Sequence, residues 1–301
     1  MKKCSTIAII AGLFGLAFLG FIGLTCIGLL FSSEENSFLS APVAVVEIEG
    51  GIFESDKTLK ELQKYEDDDD AKVLVLRINS PGGAIGPSQE IYRQVIKFRE
   101  SGKKVVVSMG TIAASGGYYI ASAADKIVAS PGTITGSIGV IMQSFGVKEL
   151  AELLKVEPRI IKSGKLKDAG SPFRDVTPEE QKYFQALSDN IYDQFVRDIA
   201  KERKMPIEKV RELAEGVIYS GEQAKEVGLV DELGNYFDAI ELARELAGLP
   251  KDAKVKWPRK PTPFEEFFSE TSSAQSLQNL FLKLETQYLP LWLSLVSGMI
   301  S

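Results

Sequence analysis

The sequence predicts an α/β layer fold with parallel strands, preceded by one N-terminal transmembrane helix. Three observations carry this. Apolar runs alternate with amphipathic helical stretches from Val43 to Val107. The runs are continuously apolar, as strands buried on both faces of a parallel sheet are. Finally, the thirty residues from Cys4 to Ser33 carry no charge.

As a helix that uncharged stretch is about 45 Å long at 1.5 Å per residue, more than the ~30 Å core of a bilayer. Lys2 and Lys3 precede it, and Glu34 and Glu35 follow. Positive charge stays inside, so the bulk of the chain is expected outside the cytoplasm, on a single-pass anchor in the cell membrane. A cleaved signal peptide is the rival reading. Its apolar region would be shorter, and no clean small-x-small cleavage site precedes Pro42. Gly23 stands where a lipidated Cys26 would want a Leu. Gly12 and Gly15, with Ala8 and Ala11, form small-residue faces of the kind that pack membrane helices.

After a polar linker to Ala41, strands are expected at 43–48, 73–78, 105–107, 138–142 and 159–162. Helices are expected at 55–65, 88–100 and 115–124. A long helix should start at Thr177-Pro178-Glu179-Glu180 and run to about Lys204. Thr caps it, Pro suits its first turn, and the acids favour the positive dipole end. Shorter helices follow at 207–215, 221–227 and 237–247. The acidic run Glu66-Asp67-Asp68-Asp69-Asp70 reads as a solvated loop, because five adjacent acids repel and point in all directions. Three units result: anchor and linker at 1–41, one catalytic domain at 42–257, and a Pro-containing linker with an apolar tail at 258–301. The tail runs, 277–284 and 289–300, are too short to span a bilayer.

Composition narrows the chemistry. The 301 residues are 45% hydrophobic and 25% charged, which excludes wholesale disorder. A net charge of −6 argues against nucleic acid as a partner. There is no histidine, so no Ser-His-Asp triad, Cys-His pair or imidazole ligand exists. The only cysteines are Cys4 and Cys26, which leaves the rest of the chain without a thiolate or zinc knuckle. Hydrolytic chemistry must then rest on Ser, Thr, Lys, Asp or Glu.

Four segments could carry it. Asn79-Ser80-Pro81-Gly82-Gly83 follows a strand, and its glycines can expose amides for half of an oxyanion hole; it is also an ordinary strand-to-helix turn. Ala113-Ala114-Ser115-Gly116-Gly117 also follows a strand and opens a helix. Ser115 there is either a nucleophile with the helix dipole behind it or, as such serines more often are, a helix cap. Ser163-Gly164-Lys165-Leu166-Lys167-Asp168 offers lysine bases or a solvated basic loop. A lysine base must drop from about 10.4 to roughly 7–8, which requires desolvation and distance from carboxylates. Asp168 beside Lys167 would oppose this if the two side chains met. Gly136-Ser137-Ile138-Gly139 is either a turn or a hydroxyl placed to orient an amine.

Taken together and in order, these four motifs closely resemble the signal peptide peptidase A family, over about Val43 to Ala247. The resemblance implies a Clp/crotonase-like spiral fold and a membrane-bound serine protease that degrades signal-peptide remnants. It implies Ser115 as nucleophile, Lys167 as general base 52 positions later (with Lys165 the alternative), and Ser137 as the hydroxyl that orients the lysine. The amides of Gly116 and of either Gly82 or Gly83 would form the oxyanion hole. No metal or cofactor is implied. The single copy of the motif set resembles the family's short form, in which a ring-like homo-oligomer completes the sites. Apolar peptides are the implied substrates. A crotonase-type acyl-CoA enzyme and a non-catalytic membrane scaffold are the rival functions; the expected anchor speaks against the first, and the intact Ser115 and Lys167 against the second.

Overall fold

The computed structural model describes residues 41–258. The expected anchor, its linker up to residue 40, and the tail runs at 277–284 and 289–300 lie outside the described residues. Among the described residues, no helix is long and apolar enough to cross a membrane.

The chain runs β1 (Val43–Glu49), α1 (Asp56–Glu66), β2 (Val73–Ser80), α2 (Ile85–Glu100) and β3 (Lys104–Ala114). Next come α3 (Gly116–Ser122), β4 (Lys126–Ala129), β5 (Ile134–Gly136), α4 (Lys148–Leu153) and α5 (Pro178–Glu202). It closes with α6 (Ile207–Leu213), β6 (Ile218–Ser220), α7 (Gly221–Glu226), β7 (Glu232–Leu233), α8 (Tyr236–Leu246) and β8 (Val255–Lys256). The main sheet order is β6-β5-β3-β2-β1-β8, with β4 joined to β3 and to β7. The ladders are parallel except β5–β6, which is antiparallel. This is an α/β domain with a mostly parallel sheet.

The central strands are apolar throughout because both faces are covered. Side chains alternate across a strand. Ala44, Val46, Leu74 and Leu76 therefore pack into the larger core, with Leu62 of α1, Phe98 of α2 and Ile199 of α5. Val43, Val45, Val73 and Val75 face the other way, onto Ala239, Ile240 and Ala243 of α8. Helix starts follow local chemistry. Thr177 and Glu180 form a reciprocal capping box at α5, with Pro178 in the first turn. Ser220 with Gln223 and Asn235 with Asp238 do the same at α7 and α8.

Two expected strands are not formed. Residues 138–142 and 159–162 have no regular structure. The first is apolar and the second has an Ile-Ile centre, but neither pairs with a strand, and Ile141 is 84% exposed. The strand of that region is β5, just upstream. The third strand is longer than expected because its two halves serve different partners: Val106–Ser108 pairs with β4, and Ile112–Ala114 with β5. The acidic loop after α1 wraps a cation, as the Lys103 ammonium donates to the carbonyls of Tyr65, Glu66 and Asp68.

Candidate active site

The C-terminal ends of β2 and β3 meet at a register shift. Ile78 pairs with Met109, but Ser80 pairs with Ala113. The Asn79 carboxamide oxygen stitches the shifted part by accepting from the amides of Thr111 (3.1 Å) and Ile112 (3.3 Å). The shift sets Ala113–Gly116 beside the turn that follows β2.

Ser115 lies between β3 and α3 with φ 51° and ψ −120°. A non-glycine residue held on the left-handed side costs about 1–3 kcal/mol and needs its surroundings to impose it. Here the Ser115 amide donates to the Gly136 carbonyl at 2.8 Å, and the Ser115 carbonyl accepts from the Tyr119 amide at 2.8 Å. The side chain makes no capping hydrogen bond, so the capping role open in the sequence is not the one Ser115 plays. Ser115 instead lines a small cleft open to solvent.

Two glycines let the backbones close on it. Gly82 has φ +98°, and a Cβ there would lie 2.7 Å from the Gly116 nitrogen and 2.8 Å from the Ser115 Cβ. A Cβ on Gly116 would stand 2.4 Å from the Ser88 Oγ and 3.4 Å from the Gly83 nitrogen. The amides divide cleanly. Gly82 N–H donates to the Ser80 hydroxyl at 3.1 Å. Gly83 sits opposite Ile52 in a parallel bridge whose bonds use the Gly82 carbonyl and the Ala84 amide, so its own N–H points away from that bridge. The Gly116 N–H, first in its helix, has no intrahelical acceptor. Gly83 and Gly116 both line the cleft with Ser115, and Gly82 does not.

The cleft wall is mainly apolar, from Ile85, Val140, Ile191 and Phe195. Tyr119 also lines it, stacked on Tyr92 at 4.9 Å and donating its hydroxyl to Asp198. Burial first, then that hydrogen bond, push the Tyr119 phenol up, so it stays neutral and offers no base. These wall residues come from α2, α3, α5 and the loop after β5. They carry no motif, and only the three-dimensional crossing of the helices reveals them.

Ser137 is the residue after Gly136, whose carbonyl takes the Ser115 amide. It follows β5, has φ 49°, and donates its amide to the Val217 carbonyl at 2.8 Å. Lys167 is not brought in. It is exposed, in a run of turns, with no ion pair and no hydrogen bond to Ser115. Lys165 pairs with Glu179. Asp168 turns from its neighbour: its carboxylate accepts from Lys162 and from the Arg174 Nε at 3.1 Å. The Arg174 bond, then the Lys162 bond, hold it low, at about 2. The segment around these lysines is apolar and open, with Phe145 74% and Leu153 78% exposed.

Comparison with known proteins adds a family. The family described as peptidase family S49 matches residues 97–250, and the Clp protease family matches residues 46–135. A Synechocystis sp. protein that carries a protease name is 41% identical over 265 residues, covering 83% of this chain and 95% of its own. The chloroplastic serine protease SPPA of Arabidopsis thaliana is 36% identical over 218 residues, covering 72% of this chain and 31% of its own. Protease 4 of Salmonella typhi is 37% identical over 228 residues, covering 73% and 37%.

Proposed function

Because the chain belongs to peptidase family S49, a family of serine proteases, we propose that it is a membrane-anchored endopeptidase that cleaves apolar peptides, cleaved signal peptides among them. One observation carries this reading. Ser115 presents an uncapped hydroxyl at a helix N-terminus, on the same cleft as the amides of Gly83 and Gly116. The catalytic unit is the Clp/crotonase-type domain at 42–257, held on the outer face of the membrane by residues 4–33.

In the proposed reaction, neutral Lys167 takes the proton from the Ser115 hydroxyl as its oxygen bonds to the peptide carbonyl carbon. The carbonyl oxygen becomes an oxyanion between the Gly83 and Gly116 amides, and the α3 dipole adds to the field. The C–N bond then breaks, and the lysine ammonium passes its proton to the leaving amine. An acyl-enzyme remains. Water, deprotonated by Lys167, attacks it, and the proton returns to Ser115. Neither metal nor cofactor enters. The apolar wall at Ile85, Val140, Ile191 and Phe195 suits an apolar substrate.

The lysine comes from a neighbouring copy in a ring-like homo-oligomer. This part rests on the distribution of apolar surface: the segment that bears Lys167 exposes Ile141, Phe145, Leu153 and Ile161. Several exposed apolar side chains in one segment suit an interaction surface. Docked on the next subunit, it would bring the amine out of water, which a lysine base needs. Ser137, next to the Gly136 that holds the Ser115 amide, would orient that amine.

The test is acylation of the full-length protein by a serine-directed inhibitor, with mass spectrometry locating the adduct. Modification at Ser115 is the expected result. An adduct at any other serine, with Ser115 untouched, overturns the assignment.

A further inference from the structure

The loop that bears Lys167 is tied down by one arginine. Arg174 has five N–H hydrogens, and five contacts use them. Its Nε donates to the Asp168 carboxylate at 3.1 Å, and an Nη2 hydrogen donates to the Asp168 carbonyl at 3.0 Å. Nη1 donates to the Glu180 carboxylate at 2.8 Å and to the Asp175 carbonyl at 3.2 Å. The remaining Nη2 hydrogen goes to the other Glu180 oxygen. Glu180 is a buried, fixed point: it is 2% exposed and also accepts from the Thr177 amide at 2.8 Å. The guanidinium therefore joins the residue after Lys167 to the first turn of the long helix α5. A lysine at this position, with three donors on one nitrogen, cannot span both carboxylates in a plane.

We propose that Arg174 is the positioning residue of the general base: by holding both the backbone and the carboxylate of Asp168, it fixes where Lys167 stands and keeps the adjacent negative charge off its amine. This rests on Ser115 and Lys167 forming the dyad. Other charges around the network are committed as well. Lys162 pairs with Asp168, Lys165 with Glu179, and Lys148 with Asp175 at 2.7 Å. Of the two carboxylates that Arg174 holds, Asp168 is the one adjacent to Lys167, and without the arginine it would be left with Lys162 alone. A carboxylate reaching an ammonium favours its charged form, so the base would need higher pH to lose its proton.

The experiment measures kcat/KM against pH for the full-length chain in detergent with a fluorogenic apolar peptide. In Arg174→Met, the midpoint of the rising limb should move up by about one pH unit. In Arg174→Met/Asp168→Asn, which has no carboxylate beside Lys167 to release, it should return to the wild-type value. Arg174→Lys keeps a charge against Glu180 and serves if Arg174→Met does not fold; the same upward shift and the same reversal by Asp168→Asn are expected. Reduced activity at an unchanged midpoint in the single variants overturns the positioning role, as does a shift that Asp168→Asn fails to reverse. Lys167→Ala separates the two levels. If it retains activity, the dyad itself is wrong. If it is inactive while the Arg174 variants keep the wild-type midpoint, only this inference fails.

Discussion

Residues 80–83 and 113–117 are tied into the domain by backbone hydrogen bonds and close glycine contacts, and their one strained residue, Ser115, is held from both sides. Residues 139–176, by contrast, expose apolar side chains and are secured by charge pairs: Arg174 with Asp168 and Glu180, Lys162 with Asp168, Lys148 with Asp175. The first region assembles the proposed nucleophile, Ser115, and the amides of Gly83 and Gly116 within one chain. The second carries Lys167, the proposed base, and remains open on its apolar side. The contrast teaches that the two halves of the proposed dyad depend on different forces: the nucleophile on the core of its own subunit, and the base on surface that a neighbour would cover.

The largest way to break this comparison is chemical. Ser115→Ala and Lys167→Ala should each lower peptidase activity by at least about 1,000-fold with the melting temperature within a few degrees of wild type. Activity retained in either variant removes that residue from the dyad. If the proposed ring forms, a charge on the open segment, Leu153→Glu, should dissociate it and reduce activity by about tenfold or more. Light scattering should report the smaller particle, while the core melts as before. An intact particle with full activity would show that this surface is not the contact.

In the buried half, Gly82→Ala should destabilise the domain by about 1–3 kcal/mol, because φ is +98° there and the new Cβ meets backbone. Thermal unfolding measures it. The open half should respond to acid first. The carboxyls of Asp168 and Glu180 are held at about 2 by Arg174, below their ordinary 3.8 and 4.5. A lowered carboxyl contributes stability that is complete above its ordinary value and is lost as pH falls toward the folded one. Amide exchange in 163–175 should therefore speed up between about pH 4 and 2, ahead of β1–β3. The smallest effect belongs to Lys165→Ala, which removes an exposed pair with Glu179 and should leave activity within about twofold. A loss as large as that of Lys167→Ala would move the base to Lys165.

The parallel strands β1 and β2 and the helices from α1 to α3 were legible from apolar runs and their periodicity, and α5 from its capping box, because these signals act locally. The glycine pairs were legible as candidates, but not as a choice. Gly83 separates from Gly82 only once the Ser80 hydroxyl is seen to take the Gly82 amide. Ser115 could not be told from a cap until its backbone and free hydroxyl were known. Residues 138–142 and 159–162 read as strands because periodicity records that a segment is apolar and is silent on what buries it. Strand β4 has four residues and β6 to β8 two or three, too few for any pattern to register.

The hydrogen bond from the Ser115 amide to Gly136 has a consequence for synthesis. Strand β5 is itself paired with β6, and Ser137 leans on the Val217 carbonyl. A nascent chain that has released Ser115 from the ribosome still lacks the strand pair that bends it. Chains arrested before Val217 should carry Ser115 in ordinary backbone and stay inert. The peptidase would then be switched on late in its own translation, after most of the domain has already emerged.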